Sequence, residues 1–313
     1  MREFDLIARI RERVTARGDV LLGIGDDCAL LEVPVGLQLA ITSDTLNAGV
    51  HFPPETRPFD IGWKSLAVNL SDLAAMGAQP AWCTLALALP EASAEFVDGF
   101  LDGFLELAAQ HGVALIGGDT TAGPLSVNVT AHGFIEPGQA LRRDGARAGD
   151  EVWVSGTLGD AAGALSQWRS AERVDPTLRL RLDRPVPRVA LGRALRGVAT
   201  SCIDISDGLL ADLGHVCRAS DLGARVDALP TSAALQAAFD PEQRRALQMT
   251  GGDDYELCFT APAACCGAVL AAAEAGAVPV TRIGVIMRGK DVQAIRADGD
   301  SWKPPHAGFE HFA

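Results

Sequence analysis

Lysine is nearly absent from this 313-residue chain. Only Lys64, Lys290 and Lys303 occur, and arginine carries almost all of the positive charge. None of the three lies in a G-x-x-x-x-G-K-[ST] run, which excludes a Walker-type phosphate loop. Positive charge is short altogether: 27 basic residues face 40 acidic ones, for a net charge of -13. A basic footprint for nucleic acid is therefore missing. No uncharged apolar run reaches about 18 residues without a proline, so no membrane span is predicted. The opening MREFDLIARIRERV is charged throughout and does not read as a secretory signal. Seven cysteines form no C-x-x-C pair, and all are read as buried thiols of a reducing cytoplasm. No local Ser-His-Asp or Cys-His pairing points to nucleophilic catalysis.

Apolar residues make up 48% of the chain, enough for a large core, and the length suggests two domains. The opening has Phe4, Ile7, Ile10 and Val14 at helical spacing. LQLAITSDTL (37–46) reads as a strand, IGWKSLAVNLSDLAAMGA (61–78) as a mostly buried helix and AWCTLALALP (81–90) as a strand closed by Pro90. SAEFVDGFLDGFLELAAQHG (93–112) is an amphipathic helix with Gly112 as its C-cap. VALIGGDTT (113–121) and LSVNVTAHGFI (125–135) are further strands. A Gly/Arg-rich joint, 137–152, follows, and the domain boundary is placed at 148, giving domains 1–148 and 149–313. In the second, SCIDISDGLLADLGHVCRAS (201–220) is a strand, an acidic turn and a helix, and MTGGDDYELCFT (249–260) a turn into a strand. The mixed order favours α+β over a doubly wound sheet. The apolar strands 81–90 and 125–135 need cover on both faces, which predicts a homodimer.

Carboxylates recur at the junctions of these elements: Asp26 and Asp27 in GIGDDCALL (23–31), Asp44 in TSDT, Asp72 in NLSD, Asp119 in GGDTT, Asp204 and Asp207 in DISDG. Each alone is most simply a turn or cap residue. Asp72 is different, because it interrupts an apolar helix where an unpartnered carboxylate is expensive. Brought together, such groups need cations, and oxygen ligands without His or Cys favour Mg²⁺ over zinc. The turns SGTLGDAAG (155–163) and LIGGDTT (115–121) let backbone N–H groups approach an anion. GIGDDC fails as a dinucleotide fingerprint, since Cys28 replaces the third glycine and two carboxylates would face the pyrophosphate. His51, after the TSDT turn, is either a loop histidine or a ligand contact. GGDDYEL sets Asp253, Asp254 and Glu256 around the lone Tyr255, as a solvated turn or as part of a site.

These stretches together resemble the thiamine-monophosphate kinase family, within the aminoimidazole ribonucleotide synthetase-like superfamily. The likeness runs through GIGDDCALL, TSDTL…GVHF, KSLAVNLSDLAAMGAQPAW, LIGGDTT, SGTLGD, DISDGLLADLGH, GGDDYELCF and the terminal GFEHFA. It implies a two-domain α+β (α/β) protein. Its N-terminal domain would close a β-barrel with its twin, and its C-terminal domain would be an α/β sandwich-like layer completing the sites. The implied reaction transfers the γ-phosphate of ATP to the phosphate of thiamine monophosphate, giving thiamine diphosphate and ADP. Carried over, Asp27, Thr42, Ser43, Asp44, Asp72, Asp119, Asp204 and Asp207 match metal ligands. Gly118, Asp119, Arg143 and Ser206 match ATP contacts, and His51, Asp253 and Phe309 match the acceptor pocket. Several Mg²⁺ ions are implied, with a monovalent cation as an optional addition, and no residue acts as a general base. Two other readings stand beside this one: another ATP-dependent member such as aminoimidazole ribonucleotide synthetase, or a non-catalytic nucleotide-sensing module.

Overall fold

The computed structural model describes residues 3–304 except 297. The chain divides into two compact units, an N-terminal one of Met1–Leu73 and Ala78–Gly138 and a C-terminal one of Ala74–Gly77 and Gln139–Ala313.

The N-terminal unit begins with helix α1 (Glu3–Arg13), which buries Leu6 and Ile10, one turn apart. A small hairpin follows, β1 (Val20–Leu22) with β2 (Leu30–Leu31). The main sheet has four strands in the order β3-β6-β4-β5. They are β3 (Gln38–Asn47), β4 (Gln79–Leu89), β5 (Ala114–Ala122) and β6 (Ser126–Ile135). Helix α2 (Pro58–Ala75) joins β3 to β4. Helix α3 (Ala94–His111) is the crossover between the parallel strands β4 and β5. Ser93 caps α3 through its Oγ, and Gly112 ends it in the left-handed region, where a side chain would be strained.

Helices α2 and α3 cross backbone on backbone. A Cβ on Gly62 would lie 2.0 Å from the Phe100 carbonyl oxygen, and one on Gly103 would lie 1.9 Å from that of Phe59. Both glycines are therefore fixed by contact. The long helix runs over Pro58–Ala75 rather than 61–78, because Gly77 turns the chain in the left-handed region. Met76 is consequently exposed.

The sheet also corrects the reason given for a dimer. Strand β4, at the centre, is buried nearly throughout, and β6 is buried at alternate residues. The uncovered apolar side chains lie instead on edge strand β3, at Leu39 (41% exposed) and Ile41 (60%).

The C-terminal unit is built on a seven-stranded, largely antiparallel sheet in the order β13-β12-β9-β11-β7-β10-β8. Its strands are β7 (Glu151–Ser155), β8 (Ser201–Asp204), β9 (Gly223–Val226), β10 (Leu257–Ala261), β11 (Val280–Met287), β12 (Val292–Ile295) and β13 (Ser301–Trp302). Helix α7 (Leu209–Ala219) packs Leu209, Leu213 and Val216 into a core with Val152, Val154, Ile203 and Ile286. Helices α4 (Asp160–Arg169), α5 (Pro176–Asp183) and α8 (Ala233–Ala238) share a second cluster centred on Ala161, Leu178 and Leu235. Helices α6 (Val189–Ala194), α9 (Pro241–Thr250) and α10 (Cys266–Ala275) complete the unit. The architecture is α+β.

The cysteine reading needs correction. Cys83, Cys202, Cys217 and Cys258 are buried, but Cys28 is exposed and Cys265 and Cys266 are half-buried. Cys28 follows the acidic turn on the hairpin surface, and Cys266 opens the Ala-rich helix α10 with Cys265 just before it. No helix among the described residues is long and apolar enough to cross a membrane.

Candidate active site

Strand β3 pairs with β6 over its whole length, with Asp44 opposite Val129 and Ser43 opposite Thr130. Alternation sends Thr42 and Asp44 to one face and Ser43 to the other. Ser43 Oγ lies 3.0 Å from Thr130 Oγ1. On the first face, Thr42 Oγ1 donates to Asp72 from α2. Asp72 is half-buried rather than sealed in the core. Burial first, and then the neighbouring Asp72 charge, push the Asp44 carboxyl up to about 6. Asn128 on β6 fixes this edge: its amide donates to the Asp44 carbonyl (3.2 Å) and to Thr45 Oγ1 (2.9 Å).

The other N-terminal candidates occupy separate positions. Asp27 is exposed on the β1–β2 hairpin, and its N–H donates to Asp26 Oδ1 (2.9 Å), so Asp26 shapes the turn while Asp27 extends from it. The Arg11 guanidinium packs over Gly25, which brings positive charge to that turn from α1. Gly118, with φ +146°, sits against the Leu85 carbonyl, and Asp119 beside it is exposed on β5. Asp44 and Asp119 stand on the two edge strands, three inter-strand steps or roughly 14 Å apart along the sheet. The sheet therefore does not itself bring them together. His51 accepts the Asn47 N–H at Nδ1 (2.9 Å), which leaves the proton of the neutral ring on Nε2. Lys64, 1% exposed in α2, donates to the His51 carbonyl (2.9 Å) and holds that turn in place.

In the C-terminal unit the structure gathers Asp204, Ser206, Asp207 and Asp253. Asp204 ends β8, opposite Leu257. The pairing continues past the strands: Ile205 N–H donates to the Glu256 carbonyl (2.8 Å), Tyr255 N–H to that of Ile205 (2.8 Å) and Asp253 N–H to that of Ser206 (2.9 Å). The backbone N–H groups of Ser206, Asp207 and Gly208 all converge on Asp212 Oδ2, at 3.0 to 3.1 Å. Burial, and then Asp207, push the Asp212 carboxyl up to about 7. Arg143 lies in the short 3-10 turn Arg143–Gly145, whose Arg143 carbonyl accepts from Ser220 Oγ (3.1 Å). Its side chain is exposed, and after burial and Arg218 it helps hold the His215 pKa below the usual range.

Asp253 (φ 68°) and Tyr255 (φ 49°) both adopt left-handed backbone conformations, which cost on the order of 1–3 kcal/mol each for residues with side chains. The alternate residues secure them. Both oxygens of buried Asp254 accept the Gly159 N–H (3.0 and 2.9 Å). Glu256, 0% exposed, accepts from Arg181 Nη2 (2.6 Å), Arg188 Nε (2.7 Å) and Ser155 Oγ.

Sequence reading did not single out Lys64, Asn128, Asp212, Arg181 or Arg188 as site supports. One signal was present: Lys64 is one of three lysines and lies in an apolar helix. Phe309 falls outside the described residues. Among the described residues, no three His, Cys, Asp or Glu side chains stand together as a metal-holding group. The Asp44–Asp72 pair, all oxygen and mutually repelling, nevertheless fits a hard cation.

Family models match both parts of the chain. The AIR synthase related protein, N-terminal domain, matches residues 25–135, and the AIR synthase related protein, C-terminal domain, matches residues 147–296. Thiamine-monophosphate kinase of Escherichia coli K12 is 48% identical over 320 aligned residues, covering 99% of this chain and 98% of that protein. The crystal structure of thiamine-monophosphate kinase from Stenotrophomonas maltophilia K279a superposes with a TM-score of 0.86 at 55% identity, covering 96% of each chain. AaThiL complexed with AMPPCP and TMP gives a TM-score of 0.77 at 31% identity, covering 99% of this chain and 96% of that one.

Proposed function

The chain belongs to the thiamine-monophosphate kinase family, and from that premise we propose that it transfers the γ-phosphate of ATP to the phosphate of thiamine monophosphate. The products are ADP and thiamine diphosphate. An acceptor phosphate oxygen forms the new bond to Pγ, and the bond from Pγ to the β–γ bridging oxygen breaks. The acceptor needs no base, because a phosphate monoester with a second pKa near 6 is largely dianionic at neutral pH. The obstacle is repulsion: two unit charges about 4 Å apart at an effective dielectric of about 20 repel by roughly 4 kcal/mol. The site residues must therefore gather positive charge and hold both anions in line.

The observation that carries this reading is the Asp44–Asp72 pair, where burial first and the Asp72 charge second raise the Asp44 pKa, an arrangement that calls for a cation. Asp27, Thr42, Ser43, Asp44, Asp72, Asp119, Asp204 and Asp207 would hold Mg²⁺. Bound Mg²⁺ supplies neutralising charge and alignment for phosphoryl oxygens. Gly118, Asp119, Arg143 and Ser206 bind ATP, with the Arg143 guanidinium offering a planar fork to a phosphate. His51, Asp253 and Phe309 bind the acceptor, whose thiazolium cation suits a carboxylate and an aromatic face. We assign residues 1–148 to nucleotide, metal and dimer contacts and 149–313 to completing both sites. We place the protein in the cytoplasm. A homodimer would form where the β3 edge meets its twin to close a barrel, which would cover Leu39 and Ile41. A coupled assay of ADP release tests the reaction. Release that depends on both Mg²⁺ and thiamine monophosphate is expected, and release that ignores the acceptor overturns it.

A further inference from the structure

We propose that Tyr255 is a positioning residue for acceptor recognition, orienting the Asp253 carboxylate toward the cationic ring of the substrate; this rests on the assignment of Asp253 to the acceptor pocket. Tyr255 is the lone tyrosine of the chain and is buried. Its hydroxyl donates to Asp253 Oδ1 at 3.2 Å, two residues back along the chain.

Neighbours in a strand point to opposite faces, but residues at i and i+2 normally stand too far apart along an extended chain for such a bond. Here the two left-handed residues curl the segment so that ring and carboxylate meet. The curl is held from the other side. Asp254 is tied to the Gly159 N–H, and Glu256 to Arg181, Arg188 and Ser155. The main chain of Asp253 and Tyr255 is laced to Ser206 and Ile205. Backbone position is thus fixed independently of the phenol. What remains for the hydroxyl is the rotation of the Asp253 carboxylate, and with it the direction in which its charge is offered. A cation–carboxylate contact depends strongly on that direction, since charge-assisted bonds are short and geometrically demanding.

Tyr255→Phe removes one oxygen and leaves the ring, its burial and the backbone requirement in place. It is expected to raise KM for thiamine monophosphate by about three- to tenfold, with KM for ATP and the melting temperature unchanged. In an Asp253→Ala background the same change is expected to add nothing, because the group it acts through is gone. The single tyrosine also gives a spectroscopic readout. The full-length protein labelled at the tyrosine ζ carbon shows one such resonance, which should move on addition of thiamine monophosphate and stay in place in Asp253→Ala. If Asp253→Ala raises KM and Tyr255→Phe does not, the pocket stands and the positioning role falls. Equal rises in both KM values with a lowered melt make Tyr255 merely structural and also overturn it. If Asp253→Ala itself leaves KM unchanged, the pocket assignment fails and the proposal fails with it. A tyrosine signal that ignores saturating thiamine monophosphate overturns it as well.

Discussion

The two acidic regions of the molecule are held in opposite ways. In the N-terminal unit, Asp44 lies on an edge strand and is kept in place by sheet register and one amide, that of Asn128. Its carboxylate meets another carboxylate, Asp72. In the C-terminal unit, the acidic turns are surrounded by fixed partners: three N–H groups on Asp212 and two guanidinium groups on Glu256. The Asp44–Asp72 pair is electrostatically incomplete in the protein alone and the Glu256 cluster is complete, while Asp212, despite its three N–H donors, is pushed up to about 7 by burial and then Asp207. Charge left uncompensated marks where a cation is to enter. Charge compensated inside the fold marks what holds a loop in shape.

The largest effect should come from the incomplete side. Asp72→Asn keeps the shape and deletes the charge. Turnover is expected to fall by at least about a hundredfold, on the scale of losing an electrostatic contact to a developing phosphoryl charge, with the melting transition retained. Near-wild-type turnover would remove Asp72 from the ligand set.

The complete side should respond in stability. Arg188→Ala strips one of two guanidinium partners from buried Glu256 and leaves Arg181 and Ser155 in place, so the loss is expected to be about 1–3 kcal/mol, that of a hydrogen bond to a buried charged group. Denaturant unfolding should show that loss, while Arg142→Ala, at an exposed pair with Asp144, shifts the midpoint little. Equal effects of the two variants would show that the buried Arg188–Glu256 contact does not hold the turn in shape.

Phe309→Ala is expected to raise KM for thiamine monophosphate by roughly 2- to 30-fold, with little change for ATP, from loss of an aromatic–cation contact. Steady-state kinetics with each substrate varied in turn checks it.

A smaller effect concerns pH. The raised pKa of Asp44, about 6, means that the folded metal-free state holds its proton more tightly than the unfolded chain does. This contribution is fully present below the unfolded value and is lost as pH rises through about 6. Mg²⁺ should therefore raise the melting temperature more at pH 7.5 than at pH 5. A shift equal at both values would show that Asp44 is not the group relieved.

Much of the N-terminal unit was legible because its signals are local. The α3 stripe, its Ser93 and Gly112 ends and the strands beside it follow from spacing and from cap chemistry. The short helices α5, α8 and α9 were missed, since six to ten residues carry little periodicity. Their caps were nonetheless written in the chain: Asp175 before Pro176, Ser232, and Asp240 before Pro241 with Gln243 completing a capping box. The candidate carboxylates could be nominated from their junction positions. Their supports could not, because Arg181, Arg188 and Ser155 reach Glu256 across 75, 68 and 101 residues. Only the fold reveals which arginine faces which acid.

The glycine crossing of α2 and α3 has an evolutionary consequence. Asp72 stands ten residues beyond Gly62, about 15 Å along the helix, and the level of that helix is set by main chain resting on main chain. Side chains around it, such as Phe100 and Phe104, fill space but do not set the spacing between the helices. Neutral drift can exchange them for others of similar bulk while the carboxylate keeps its height above the sheet. A side chain at either glycine would instead push the two helices apart and carry Asp72 with them, whatever fills the space around the crossing.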